Sequence, residues 1–232
     1  MTSSYSPTVA IVDYGMGNLF SVKHACDHVG LGGIVTSGKQ HILSANAVIL
    51  PGVGAFGDAM KALEKLDLLG PLREIAEFER PLLAICLGLQ LLMEESPEFG
   101  THRGLGIVPG HVARFSNLDS AGERFKVPQV GWNRISRVSG DLQATSEAWS
   151  TSPLKGISSG EFMYFVHSYY VVPSDSSVVM TTTTYGDGEF CSSLRKRNIF
   201  ACQFHPERSG AAGLGIYRNL ASTLNARPCQ EV

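Results

Sequence analysis

Two stretches of this chain hold side chains whose neighbours would make them reactive. The first is centred on Cys86. A proline and an apolar run, Pro81 to Ile85, lead into it, and Leu87, Gly88 and a second apolar segment, Leu89 to Met93, follow. The first run predicts a buried strand and the second a helix. A nucleophile at a sharp strand-to-helix corner has its side chain exposed. The helix behind it aims its N-terminal dipole and free N–H groups at the sulfur, which favours thiolate, the reactive form. The Leu87 N–H, one residue on, is placed to stabilise an oxyanion. Taken alone, the stretch suits a structural cysteine in a core strand equally well, because free cysteine is among the most buried residue types.

The second stretch is Ala201-Cys202-Gln203-Phe204-His205-Pro206-Glu207. If it is extended, alternation puts His205 and Glu207 on one side. Pro206 restricts the residue before it and cannot continue a ladder, so His205 is expected at a strand end, presented rather than packed. A histidine oriented by a carboxylate is the base half of a nucleophilic triad. Alone, His205 reads as a surface or core-edge histidine; beside a cysteine elbow it reads as the partner base. A third stretch, Pro51-Gly52-Val53-Gly54, could supply a second oxyanion N–H, since its two glycines free the peptide planes around Val53. Its plain alternative is a tight turn.

These groups need a scaffold, and the pattern supplies one. Thr8–Val12 and Ala47–Leu50 are apolar on both faces, as in buried parallel strands, and Gly33–Thr36 is a weaker strand between them. Helical spacing follows at Leu19–Val29 with Gly30 as a stop, again at Met60, Leu63 and Leu66, and over Leu72–Phe78. Strand and helix alternating in this way predict a parallel sheet with right-handed crossovers. Loops at the carboxyl ends of such strands are where open α/β sheets bind ligands. From about Gly104 the texture becomes β-rich, with strands expected at Gly106–Val108, Val112–Phe115, Val130–Ile135, Phe162–Val172, Val178–Thr184 and Ile199–Phe204. Leu142–Ser159 is small and polar, the best candidate for a mobile loop, and a last helix is expected at Leu214–Leu224.

The chain has 232 residues, 44% of them hydrophobic, and a formal net charge of −2. That length suits one α/β domain over residues 1–232, with polar tails at about 1–7 and 226–232, although two small domains also fit. The charge points away from nucleic acid. No apolar run is long enough to span a membrane, and Met1–Pro7 lacks the features of a secretory signal. Five cysteines at irregular spacing fit neither a zinc site nor a disulfide framework and suit a reducing cytoplasm. Gly15 and Gly17 lack the third glycine of a dinucleotide fingerprint, and no phosphate loop is present. His24, His28, His41, His102 and His111 have no ligand spacing, so neither a metal nor another cofactor is expected.

The elbow, the Pro51–Gly54 loop and Phe204-His205-Pro206-Glu207 resemble the class I, triad-type glutamine amidotransferases. Asp13–Leu19, Gly52–Met60, Val130-Gly131-Trp132-Asn133, Tyr164–Tyr169 and Gln203–Gly210 narrow the resemblance to the glutaminase subunits of imidazole glycerol phosphate synthases. It runs from about Val9 to Leu220. It implies a mainly parallel central sheet flanked by helices with an additional antiparallel portion. It implies hydrolysis of L-glutamine through a thioester, and ammonia delivered in a heterodimer to a (β/α)8-barrel cyclase subunit. That partner makes imidazole glycerol phosphate and aminoimidazole carboxamide ribotide, a step of histidine biosynthesis. The roles implied are Cys86 as nucleophile, His205 as general acid and base, and Glu207 as its orienting group. Val53 and Leu87 match the oxyanion positions, Gly52, Gln90, Ser168 and Tyr169 the glutamine pocket, and Asn18, Tyr164 and Arg208 the partner-facing side. Ala84 and Arg208 depart from the usual glycine and lysine. A glutaminase feeding pyridoxal phosphate synthesis fits the Asp13–Leu19 and Val130–Asn133 stretches less well, and a non-catalytic regulator conflicts with an intact triad.

Overall fold

The computed structural model describes residues 7–78, 80–118, 120, 122–138 and 147–225. The first half is βα-alternating: β1 (Thr8–Val12), α1 (Leu19–His28), β2 (Gly32–Thr36), α2 (Lys39–Ser44), β3 (Ala47–Leu50), α3 (Phe56–Lys65), α4 (Leu69–Glu77), β4 (Leu82–Ile85) and α5 (Leu87–Leu91). The second half runs β5 (Glu95–Ser96), β6 (His102–Arg103), β7 (Gly110–Arg114), β8 (Gln129–Arg137), β9 (Glu161–His167), β10 (Tyr169–Pro173), β11 (Val179–Tyr185), β12 (Gly188–Lys196), β13 (Ile199–Cys202) and α6 (Gly210–Asn225).

Among the described residues the strands join in one mixed sheet, with the backbone order β2-β1-β3-β4-β13-β12-β10-β7-β5-β6. Strands β2, β1, β3, β4 and β13 are mutually parallel. From β13 the pairing turns antiparallel through β12, β10 and β7, and β11, β8 and β9 add an antiparallel branch. Alternation sorts the parallel strands between two cores. Ala10, Val12, Val48, Leu50, Leu82 and Ala84 face Phe56, Leu63 and Leu72 on one side. Val9, Ile11, Ala47, Ile49, Leu83 and Ile85 face Val22, Cys26, Ile216 and Tyr217 on the other. The Ala84 methyl group is fully buried in the first of these. No helix among the described residues is long and apolar enough to cross a membrane.

The structure differs from the sequence expectations at several places, among them the short elements α2, β5 and β6, which the pattern did not show. Gly106–Val108 is a bend, not a strand, whose N–H groups bond to the Leu92 and Met93 carbonyls. Phe162–Val172 is two strands broken at Ser168. Strand β12 went unread because its centre is polar; Ser192 and Ser193 are buried there, with hydroxyls 2.9 and 2.6 Å from Thr181 Oγ1. Of the expected mobile loop, 142–146 lie outside the described residues. The rest is packed, because Trp149, Leu154 and Ile157 are buried and the indole N–H donates to the Ile157 carbonyl at 2.9 Å. Of the expected polar tails, 1–6 and 226–232 lie outside the described residues, whereas Pro7 is buried and its carbonyl accepts from the Gly32 N–H at 3.3 Å.

Candidate active site

The corner between β4 and α5 is where the pattern placed it. Cys86 has φ 55° and ψ −107°, a conformation that costs a non-glycine residue energy and persists only when its surroundings impose it. Its N–H donates to the Cys202 carbonyl at 2.8 Å, continuing the β4–β13 pairing for one residue. The turn brings α5 hard against β3. A side chain at Gly88 would put its Cβ 2.0 Å from the Leu50 carbonyl oxygen, so only glycine fits there.

His205 and Glu207 meet beside this corner, but not as an extended pair. Strand β13 ends at Cys202, and Pro206–Arg208 forms a single 3₁₀ turn with His205 at its N-cap. The turn is clamped to β9: the His205 N–H donates to the Tyr164 carbonyl at 2.9 Å, and the Tyr164 N–H donates to Ser209 Oγ at 3.0 Å. His205 Nδ1 lies 2.8 Å from Glu207 Oε1. The expectation of a presented histidine is corrected here, since the His205 and Glu207 side chains are only 5% and 1% exposed. Proline stops the strand, and the following turn folds the imidazole inward. Burial lowers the His205 pKa, but the charge and hydrogen bonding of Cys86, then those of Glu207, outweigh it and push it up to about 10. No hydrogen bond of ordinary length closes on His205 Nε2, so Cys86 acts on the imidazole chiefly through its charge.

A cavity of about 300 Å3 opens onto the sulfur. Val53, Leu87, Gln90, Ser168 and Tyr169, all singled out from the sequence, line it, together with Glu98 and His167, which were not. Gly52 lies beneath Leu87 rather than in the lining. A Cβ there would sit 2.4 Å from the Tyr14 hydroxyl and 2.8 Å from Leu87 Cβ. The Gly52 carbonyl accepts from the Leu87 N–H at 3.3 Å. One of the two expected oxyanion donors is therefore already engaged, by the peptide that carries the other.

Gln90 and the three unread polar residues Gln203, Glu98 and His167 each make at least one hydrogen bond within the protein. Gln90 Nε2 donates to the Tyr169 carbonyl at 2.9 Å and to Gln203 Oε1 at 3.1 Å, and Gln203 Nε2 lies 3.5 Å from Cys86 Sγ. Glu98 Oε2 accepts from the Phe56 N–H at 2.7 Å. His167 Nδ1 is 2.8 Å from the Tyr169 carbonyl, so that nitrogen carries the proton and Nε2 is a bare acceptor, buried without a partner. Burial lowers the His167 pKa to about 4; the Tyr169 carbonyl raises it and the nearby His205 charge lowers it. The sequence signal for these was a polar residue inside an apolar run, as in Cys202-Gln203-Phe204 and Phe165-Val166-His167.

Outside the cavity, β8 and β9 pair Val130 with Val166, Trp132 with Tyr164 and Arg134 with Phe162, which puts these side chains on one face. Val130, Trp132 and Phe162 are 50%, 56% and 44% exposed. The Arg208 guanidinium lies 4.5 Å over the Tyr164 ring, and Trp132 meets that ring edge-on at 6.1 Å. Asn18 is exposed and caps α1, accepting from the Ser21 N–H at 3.2 Å; α1 packs against the 206–208 turn.

Residues 10–220 match the family described as glutamine amidotransferase class-I. The chain is 44% identical over 212 residues to an imidazole glycerol phosphate synthase subunit HisH of Geobacter sulfurreducens, covering 91% of this chain and 96% of that one. It is 48% identical over 210 residues to the HisH subunit of Aquifex aeolicus, covering 90% and 93%. Among solved structures, PurLQS from Thermotoga maritima superposes with a TM-score of 0.68 at 19% identity, over 95% of this chain and 100% of that chain, a likeness of fold.

Proposed function

The chain belongs to the class I glutamine amidotransferases, among the HisH subunits of imidazole glycerol phosphate synthase, the glutaminase side of that enzyme in histidine biosynthesis; from this premise we propose that Cys86, His205 and Glu207 are its catalytic triad. The Cys86 thiolate attacks the γ-carboxamide carbon of glutamine. Charge collects on the carboxamide oxygen, which the N–H groups of Leu87 and Val53 stabilise. His205, held protonated beside the sulfur, gives its proton to the departing nitrogen and releases ammonia. The imidazole then takes a proton from water, which attacks the thioester and frees glutamate and the thiolate. Glu207 fixes the ring's orientation and offsets its charge. Gln90, Ser168 and Tyr169 hold the rest of the substrate.

The observation that carries this reading is a strained cysteine that opens onto a cavity and feels, behind it, a buried imidazole–carboxylate pair. Cys86→Ala tests it: glutamate release should vanish, while synthesis driven by added ammonia in the complex with the cyclase should continue. Wild-type glutamate release by that variant would overturn the assignment.

The partner is a cyclase subunit, docked on the face that carries Asn18, Tyr164, Trp132 and Arg208. An apolar patch beside the mouth of the site, with a guanidinium stacked on an aromatic ring at its centre, suits a protein interface. Arginine where lysine is usual offers a planar fork to a partner carboxylate. Residues 1–232 work as one amidotransferase unit in the cytoplasm. The Gly52 carbonyl engages Leu87, so the Gly52–Val53 peptide must turn before both oxyanion donors face substrate. A missing donor costs about 3 kcal/mol, a hundredfold or more in rate, and the docked, liganded partner supplies a preference of that size for the turned peptide.

A further inference from the structure

Gln203 is a buried polar residue that the triad mechanism does not use. It is fully buried, and its backbone N–H is fixed to the Ser192 carbonyl at 2.9 Å. Its side chain ends against the nucleophile, with Nε2 3.5 Å from Cys86 Sγ.

Which end of the carboxamide faces the sulfur follows from the hydrogen bonds around it. The Tyr169 carbonyl can only accept, so the Gln90 group 2.9 Å away is its NH2. The second hydrogen of that NH2 points at Gln203, 3.1 Å away, and requires an oxygen there. Gln203 therefore presents Oε1 to Gln90 and its own NH2 to Cys86. The reverse orientation would set two donors against each other at Gln90 and an acceptor against the sulfur. A backbone carbonyl thus fixes, through two side chains, a donor aimed at the reacting atom.

The sulfur's other polar neighbour in this direction acts the opposite way. The Val166 carbonyl, 3.8 Å from Sγ, accepts from a thiol and repels a thiolate. The Gln203 NH2 is closer and bonds to a thiolate, whose lone pairs it also helps to aim.

We propose that Gln203 is a further catalytic residue, a neutral hydrogen-bond donor that holds Cys86 in its thiolate form, with Gln90 and the Tyr169 carbonyl locking its orientation. This rests on Cys86 being the nucleophile. Because Gln90 and Tyr169 also line the substrate cavity, the same chain of bonds ties the nucleophile to the glutamine site.

The test reads the sulfur directly, without glutamine. The rate at which iodoacetamide alkylates Cys86 is followed by peptide mass spectrometry between pH 5 and 10, on the full chain and two variants. Gln203→Met keeps length without a donor, and Gln203→Glu keeps an acceptor for Gln90 but turns an oxygen to the sulfur. Alkylation at pH 7 should slow by about tenfold to a hundredfold in Gln203→Met, and further in Gln203→Glu. In the complex with the cyclase, kcat should fall similarly with KM changed less than about threefold, because a donor acting on the nucleophile leaves substrate binding in place. If Gln203 variants fail to fold by circular dichroism, Gln90→Leu keeps the question open to decision. It leaves Gln203 in place but unlocks it, and should slow alkylation in the same direction by a smaller factor. Where Gln203→Met does fold, adding Gln90→Leu to it should slow alkylation little further. A folded Gln203→Met or Gln203→Glu chain alkylated at the wild-type rate overturns the proposal, as does a wild-type rate in Gln90→Leu when neither folds. Glutamate release that survives Cys86→Ala overturns the nucleophile assignment itself, and the role of Gln203 with it.

Discussion

Two groups of atoms flank the same sulfur, and they differ in how they are held. On one side, His205 and Glu207 are joined at 2.8 Å, buried, and clamped to β9 by the Tyr164 backbone. On the other, the Leu87 N–H bonds to the Gly52 carbonyl at 3.3 Å instead of facing the cavity. The proposed proton-transfer pair is assembled; the proposed oxyanion donor is engaged by a single peptide. The difference follows from what holds each part. Side chains in a packed core have one low-energy arrangement, whereas the Gly52–Val53 peptide, hinged at a glycine, has a second arrangement within reach of a bound partner's few kcal/mol. On the proposed mechanism, control of turnover falls to the loop and not to the core.

The largest effects should come from breaking the assembled side. His205→Ala should lower kcat by on the order of a thousandfold and Glu207→Gln by less, since in the proposed mechanism His205 moves protons while Glu207 orients it. The double variant should be barely worse than His205→Ala, because the two act as one unit. Additive losses in steady-state kinetics would break the assembled triad into independent contributions.

A second prediction separates two buried imidazoles of the site by acid. His167 has a folded pKa of about 4, below its unfolded value, so between about pH 6.5 and 4 the unfolded chain binds a proton that the folded chain refuses. Stability is therefore lost as pH falls through that window, by at most about 3 kcal/mol from this residue. His205, raised to about 10, contributes in the opposite sense: its stabilisation is present below about pH 6.5 and is lost as pH rises through 10. Urea denaturation at pH 7 and pH 4.5 should show a smaller acid loss in His167→Gln than in wild type. Equal losses would remove His167 from the account.

The smallest effect should come from loosening the occluded side. The Tyr14 hydroxyl donates to the Pro51 carbonyl at 2.8 Å and crowds Gly52, which steadies the loop next to the peptide that must turn. Tyr14→Phe removes about 1 kcal/mol of restraint. Basal kcat of the isolated chain should rise severalfold, and activation by the partner should shrink by the same factor. An unchanged ratio would place the restraint elsewhere.

Much of this site was legible in the sequence. The apolar Leu82–Ile85 run, the cysteine and Gly88 located the elbow, because strand, turn and helix are written in local pattern. His205 and Glu207 were paired for a reason the structure corrects: the pairing comes from a 3₁₀ turn, not from strand alternation. Gln203 and Glu98 give no spacing signal because their partners, Cys86 and the Phe56 N–H, lie far along the chain; His167 gives none because its bond, two residues on, is to the Tyr169 backbone carbonyl rather than to a side chain. Strand β12 was missed because its buried serines find their partner, Thr181, on the neighbouring strand. The occlusion of Leu87 was not legible at all. Residue type tells which peptide turns easily, and only coordinates tell which way it faces.

The claim that a formed triad waits on an unformed oxyanion hole is tested most directly by steady-state glutaminase kinetics of the chain alone and in complex with the cyclase and its nucleotide ligand. The account predicts weak turnover alone and a rise of about a hundredfold or more in the liganded complex, mainly in kcat, with KM for glutamine little changed. Full turnover by the isolated chain would contradict it.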